Sequence, residues 1–471
     1  MLGAVVLVAA VVALAWWLLQ GRGECDDGLA REGDQCIGVN VGSYEFPGLE
    51  DIAQRIHKAN PTSGDYVTVV YMEPMSGGSQ DRGEGATREA VTGAYLAQKF
   101  VNRDPKSQPK IRILLANTGR GDAYAEQVAR QLVEHREEYR LVAVAGIGQS
   151  NKHTEKAVRV LSAADIPTVG ATVAADSFTK GPRNFFRVAF SARAQARAAV
   201  GHLVREQRAD PGYRVRIVRD MREGDAYNSA LYSGFKEAAG RAGLKVAPGY
   251  VPFWSEGGST EDSEGNALST VAQKLCRDQE RPDAVFFAGR GREIRGLILQ
   301  AGTEMRPCPI TIVSGSSTVG VYFDTKDDRA LQRSWQATGM QVKYTAYTHP
   351  EVPGKLYGKH SLYPEFADEY RHIDTGGRLA DGQAMLGRDA VYVAAMAARG
   401  AWTAYGSDGV TAAHVRSQLG QINRGDALKG VGGPIAFDEA TGEPVERPMA
   451  LVQLGKPDDA QRYRFRGLLK E

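Results

Sequence analysis

The feature that most constrains this chain is a series of short, mostly apolar segments, each separated from the next by a helical pattern. YVTVVYM (66–72), IRILLAN (111–117), LVAVAG (141–146), IPTVGA (166–171), RVRIVRD (214–220), DAVFFAG (283–289) and ITIVSG (310–315) are such segments. Between them, 85–102, 123–135, 152–164, 226–243 and 292–302 carry apolar residues at helical spacing. A strand without a polar face must be covered on both sides. Where the next element is a helix, that helix does the covering, so the pattern predicts parallel, doubly wound α/β sheets.

One sheet rarely takes this many strands. FFRVAFSARAQARAAVGHL (185–203) reads as an extended crossing that runs into a helix. It divides the chain into a first Rossmann-like lobe, 65–188, and a second, 189–338. The remainder must fold back, 339–430 onto lobe 1 and 431–471 onto lobe 2. DAVYVAAMAARGAW (389–402) is the expected capping helix of lobe 1, and VGGPIAFDEATGEPVERPMALVQL (431–454) reads as a hairpin turning at 439–442. Repeated crossings make a multi-strand hinge. The cleft beside it lies at the carboxyl ends of the strands, where such sheets bind ligands.

Composition excludes some functions. The 471 residues suffice for two or three folded units, and 24 % charged residues with a net charge of +2 offer no electrostatic reason for nucleic-acid binding.

The uncharged run LGAVVLVAAVVALAWWLL (2–19) is almost long enough, at 1.5 Å per residue, to cross a bilayer core of about 30 Å. Trp16 and Trp17 at its end suit the membrane interface. A cleaved signal peptide would carry a shorter apolar core and a small-x-small site, and QGRGECDD follows instead. The reading is an uncleaved anchor over 1–20, a juxtamembrane stalk over 21–64, and a binding domain outside a cell membrane. The four cysteines support the outside. Cys25 and Cys36 bracket a short polar loop, and Cys276 and Cys308 bracket a helix-strand-helix stretch. Two local disulfides would each contribute about 2–4 kcal/mol; the alternative is four separate buried thiols. The spacing fits no zinc site.

At this point the chain resembles a known family, the type I periplasmic binding proteins of the leucine/isoleucine/valine-binding kind that serve ABC transporters. The resemblance spans about 65–455. It rests on Met75-Ser76-Gly77 after a strand with Gly83 before a helix, AGIGQSNKHTEKAVRVLSAADIPTVGAT (145–172), Asp220 and Tyr227 ahead of a long helix, PDAVFFAGRG (282–291), and GGPIAFDEATGEP (432–444). The anchor, stalk and cysteine pairs look like the membrane-anchored relatives of high-GC Gram-positive bacteria.

The resemblance implies a ligand site in the cleft, with contacts at Gln149, Ser150 and Asn151, then Ala171 and Thr172. Ser150 or Asn151 can also cap the helix at 152, whose free N–H groups suit an anion. For Ser150 the plain reading is a cap with no ligand. Tyr227 matches a family tyrosine that covers the ligand; its other reading is a core tyrosine. Arg82 matches a first-loop position that touches ligand, or is a solvated arginine. Arg290, directly after a buried strand, offers a two-pronged donor to the cleft or forms an exposed salt bridge. The family's acid for a ligand ammonium falls in GSSTVG (315–320), where Ser316 and Ser317 stand instead. Glu73, Asp225, Asp324 and Glu293 are acids elsewhere that could substitute. An anionic or uncharged polar ligand therefore fits as well as an amino acid.

No enzyme signature is present: no G-x-S-x-G, no H-E-x-x-H, no Walker A, and Ile294 stands where a dinucleotide fingerprint needs glycine. No cofactor or metal is expected. The resulting expectation is a membrane-tethered receptor that hands a small polar solute to an ABC permease. The alternatives are a ligand-sensing ectodomain and a protein-interaction module, each signalling to a separate partner.

Overall fold

The apolar segments assemble into two separate seven-stranded sheets. The computed structural model describes residues 25–78, 83–179, 184–255, 261–276, 281–303, 307–323 and 328–469. Lobe 1 is built on β1 (Leu29–Glu32), β2 (Gln35–Asn40), β3 (Tyr66–Glu73), β4 (Lys110–Asn117), β5 (Leu141–Gly146), β6 (Thr168–Gly170) and β7 (Phe185–Arg187). Their order is β1-β2-β4-β3-β5-β6-β7. Lobe 2 is built on β8 (Val215–Asp220), β9 (Val251–Phe253), β10 (Ala284–Ala288), β11 (Thr311–Ser314) and β12 (Gln341–Ala346), with a two-residue ribbon of β13 (Leu428–Lys429) and β14 (Pro434–Ile435) elsewhere, and closes with β15 (Met449–Leu454) and β16 (Tyr463–Leu469). The order in the second sheet is β16-β15-β12-β11-β10-β8-β9.

β3 shows why these segments are strands. Val67, Val69 and Tyr71 enter one core, and Val70 and Met72 enter the core on the opposite face. Both faces are buried, so the period-two polar signal vanishes. Each such valine contributes about 1.5–3 kcal/mol by leaving water. The face shared with the hinge is covered by helices Glu84–Asn102 and Gln383–Tyr405. These approach backbone to backbone: a Cβ on Gly93 would sit 2.0 Å from the Ala384 carbonyl oxygen, and one on Gly387 would sit 2.2 Å from that of Ala90. Only glycine permits that contact.

Three expectations need correction. Residues 25–64 are not a free stalk. β2 pairs antiparallel with β4, β1 forms the sheet edge, and helix Glu50–Ala59 buries Ile52, Ala53 and Ile56 in lobe 1. The polar edge strand hid this, because it needs only one buried face. The stretch 339–430 does not lie wholly in lobe 1, since β12 pairs parallel with β11 in lobe 2. Nor is 431–454 one hairpin. Phe437 bridges Pro444 and its ring packs at a tilt against Phe186 of lobe 1, whereas β15 pairs with β12 and β16 in lobe 2.

The chain therefore crosses between lobes after β7, after β12 and before β15, a hinge of three segments. Both disulfides form, Cys25–Cys36 and Cys276–Cys308. Among the described residues no helix is long and apolar enough to cross a membrane. The expected anchor, 1–20, lies outside those residues.

Candidate functional site

The carboxyl ends of the two sheets face each other, and the sequence-predicted residues gather there from both lobes. On lobe 1, β5 ends in three consecutive positive φ angles, at Gly146 (93°), Ile147 (70°) and Gly148 (58°). A buried β-branched residue in that region is strained. Ile147 is held there by its N–H donating to the Met72 carbonyl at 2.8 Å. The turn presents Gln149, Ser150 and Asn151. Beneath it lies Asp122, fully buried, accepting from Thr118 Oγ1 (2.8 Å), Asn151 Nδ2 (2.9 Å) and the Gln149 N–H (3.2 Å).

Asn151 is the cap of helix Lys152–Ala163. Its Oδ1 accepts from the N–H groups of His153 (2.9 Å) and Thr154 (3.0 Å), in a reciprocal capping box. Those two donors, expected to face an anion, are thus taken. Ser150 does not cap. Its hydroxyl oxygen accepts from the N–H groups of Ala174 (2.8 Å) and Ala175 (3.1 Å), tying this turn to the loop after β6. In that loop the Ala171 N–H donates to the Gly146 carbonyl at 3.0 Å, and Thr172 turns its carbonyl toward the Tyr347 hydroxyl at 3.3 Å.

On lobe 2, Arg290 follows β10. Its Nε and Nη2 donate to Asp225 Oδ2 (2.7 Å) and Oδ1 (3.1 Å), and Nη2 reaches across to the Ser150 carbonyl at 3.4 Å. Burial opposes the guanidinium charge, but the Asp225 carboxylate beside it outweighs burial and raises its pKa above the ordinary arginine value. The Tyr227 ring lies 5.3 Å below the same guanidinium. Tyr227 is 3 % exposed, and burial raises its hydroxyl pKa. The hydroxyl donates to Gln195 Oε1 (3.4 Å) and accepts from the Ser317 N–H (3.4 Å). It fits because residue 315 is glycine: a Cβ there would sit 2.2 Å from the tyrosine oxygen. Gln195 Oε1 also accepts from the Ser316 N–H at 2.7 Å, and Gln195 Nε2 donates to the Tyr347 hydroxyl at 3.2 Å.

The structure thus brings together Gln149, Ser150, Asn151, Ala171, Thr172, Tyr227, Arg290 and Ser316. Arg82 lies outside the described residues. Sequence reasoning missed Asp225 as the partner of Arg290, and Asp122, Gln195 and Tyr347 altogether. Gln195 had a faint signal as the polar residue inside the alanine-rich SARAQARAAV. Tyr347 had one in following the strand QVKYTA directly.

Among the described residues no group of three or more His, Cys, Asp or Glu side chains could hold a metal ion. A hollow of about 690 Å³ lies away from the cleft, on the outer edge of lobe 1, between Leu29, Gly38, Tyr124 and Gln131.

No protein-family model matches this chain. No curated protein matches it either. Solved structures do. A leucine-binding protein, LivK, from Thermotoga maritima is 18 % identical, covers 86 % of this chain and 99 % of its own, and superposes with a TM-score of 0.64. The branched-chain amino-acid transporter substrate-binding protein LivJ from Streptococcus pneumoniae, in complex with isoleucine, is 17 % identical over 85 % of this chain and 99 % of its own (TM-score 0.60). An ABC-transporter solute-binding protein from Rhodopseudomonas palustris, in complex with 3,4-dihydroxybenzoic acid, is 15 % identical over 86 % and 96 % (TM-score 0.62). At these identities the likeness is one of fold, and it agrees with the resemblance read from the sequence: the chain has the type I periplasmic-binding-protein fold.

Proposed function

We propose that this chain is a membrane-tethered, extracytoplasmic solute-binding protein that closes two lobes on a small polar ligand and delivers it to an ABC transporter. The observation that carries the reading is Arg290, a guanidinium at a strand's carboxyl end that spans the cleft to Ser150. Leucine, isoleucine and 3,4-dihydroxybenzoic acid, the ligands named for the similar structures, all carry a carboxylate. A guanidinium fork is the natural partner of that group. The ligand class proposed here is therefore a small carboxylate. A ligand carboxylate would compete with Asp225 for Arg290, and closure would follow as a population shift driven by contacts made in the closed state. The two disulfides support a compartment outside the cytoplasm.

One observation favours a second reading. Ser150, Tyr227 and Arg290 already have partners within the chain. A ligand-sensing or protein-interaction module that signals to a separate partner, with no solute to hand over, would keep its cleft satisfied in this way.

A thermal-shift screen of the full chain against branched-chain amino acids, benzoates, amides and sugars tests both. The first reading expects stabilisation by at least one carboxylate, lost in Arg290→Ala. Stabilisation by none of them would favour the second.

A further inference from the structure

The third crossing between the lobes is short. Val445 still belongs to the turn that packs on lobe 1, its N–H donating to the Ala436 carbonyl at 2.9 Å, and Met449 opens β15 of lobe 2. Between them stand Glu446, Arg447 and Pro448. Glu446 is exposed and holds a φ of 61°, a left-handed angle uncommon for a glutamate. Pro448 has its φ fixed by its ring. The side chain of Arg447, between these two constrained residues, is wholly buried.

Arg447 is tied to lobe 1. Its Nη2 donates to Asp389 Oδ2 at 3.1 Å, and Asp389 lies, equally buried, in the second turn of helix Gln383–Tyr405. No acceptor of the described residues reaches Arg447 Nε or Nη1, so Asp389 is the acceptor that holds it. Asp389 also accepts from the Val431 N–H (2.9 Å), the Gly432 N–H (3.0 Å) and Arg388 Nη1 (3.4 Å). The Gly432 carbonyl in turn accepts from Thr348 Oγ1 at 2.7 Å, and Thr348 lies just past β12, on the second crossing. Two crossings therefore meet lobe 1 around one carboxylate.

The glycine-rich GVGG (430–433) makes room for this arrangement. A Cβ on Gly432 would sit 2.1 Å from Arg447 Nη2 and 2.9 Å from Asp389 Oδ2, and one on Gly430 would sit 2.6 Å from the same oxygen.

We infer that the Asp389–Arg447 pair pins the third crossing to lobe 1 and sets the resting angle between the lobes. Sliding the crossing along the helix would leave two opposite charges buried and apart, which is costly. Turning about the pair keeps it intact. The crossing is held on the lobe 1 side by Asp389 and on the lobe 2 side by the pairing of β15 with β12 and β16. It is thus the stiff arm of the hinge, and the lobes move by turning around it. Arg447 touches no ligand in this account; it is a positioning residue for the cleft. The inference concerns the protein with no solute bound, so it stands or falls separately from the solute-binding reading.

The test is the distance between spin labels at positions 156 and 223, exposed sites on lobe 1 and lobe 2, in the full chain with no solute added. Arg447→Met keeps an unbranched stem, removes the cation and leaves Asp389 its two backbone donors. Gly432→Ala keeps both charges and sets a methyl against them. Ile52→Ala, in helix Glu50–Ala59 of lobe 1, is the control for loss of stability alone, as read by urea unfolding. The pin predicts a distance distribution in Arg447→Met that is displaced or broadened from wild type, and one in Ile52→Ala that is not. The wild-type distribution in Arg447→Met would make the pair a plain buried salt bridge and overturn the inference. An equal displacement in Ile52→Ala would overturn it as well. Should Arg447→Met fail to fold, Gly432→Ala takes its place, and the same outcomes decide.

Discussion

Arg290 and Asp225 form a two-pronged ion pair on lobe 2, and its guanidinium is also the group that touches the Ser150 carbonyl of lobe 1. One arginine therefore does two jobs. It neutralises a carboxylate whose side chain is 4 % exposed, and it bridges the cleft.

Arg290→Ala should lower the unfolding free energy by about 2 kcal/mol. The figure is below the ~3–5 kcal/mol of a fully buried pair because the arginine side chain keeps 22 % exposure. Arg290→Lys should recover only part of the loss, since an ammonium cannot reproduce the fork. Urea unfolding of the three proteins checks this. A wild-type midpoint in Arg290→Ala would remove the pair from the account.

Ser150→Ala should act through stability more than through direct ligand contact. The hydroxyl serves two buried backbone N–H groups, and losing it leaves both unsatisfied, at about 1–3 kcal/mol each at most. Amide exchange at Ala174 and Ala175 should quicken in the variant. Unchanged exchange there would mean that the hydroxyl does not hold that loop.

The two disulfides should differ in worth. Cys276–Cys308 closes a separation of 32 residues and Cys25–Cys36 one of 11. Chain-entropy reasoning gives about 4 and about 3 kcal/mol respectively. Paired serine substitutions, measured by thermal unfolding, should therefore cost more at 276/308. The reverse order would point to structure retained in the unfolded chain.

His202 should make the protein acid-sensitive. Burial, and then the charge of Lys343, depress its pKa to about 4, against the pull of Glu206. The folded imidazole stays neutral while an unfolded one takes a proton near pH 6.5, so stability falls as pH drops from 6.5 toward 4. His202→Gln should flatten the fall between pH 6.5 and pH 5, as read by unfolding at each pH.

The architecture was legible where hydrophobic burial is continuous. β3, β4, β5, β8, β10 and β11 fall on the predicted segments, because strands covered on both faces leave a largely apolar run. It was not legible where one face meets solvent. β1 (LARE) is such a strand and hid the true extent of lobe 1; β12 (QVKYTA) is buried beyond Lys343, but Gln341 and Lys343 interrupt its apolar pattern and hid a strand of lobe 2. In the cleft, a helix start pointed to Ser150 and a strand end to Arg290, whereas Tyr227 and Ser316 came from the family resemblance. Their partners were not readable. Gln195 lies 121 residues from Ser316, and Tyr347 lies 175 from Thr172, and no local pattern reports such pairs.

The central claim is that two lobes swing about three crossing segments to enclose a small carboxylate. A distance across the cleft tests it most directly. All four cysteines are in disulfides, so new ones can be labelled selectively. Lys156 on lobe 1 and Glu223 on lobe 2 are exposed near the point where Gly224 comes up to the Lys152 side chain. Spin labels at 156 and 223 should give a broad distance distribution in the free protein that collapses to one short distance when leucine, isoleucine, valine or a benzoate is added. A single distance that none of these carboxylates moves would contradict the claim.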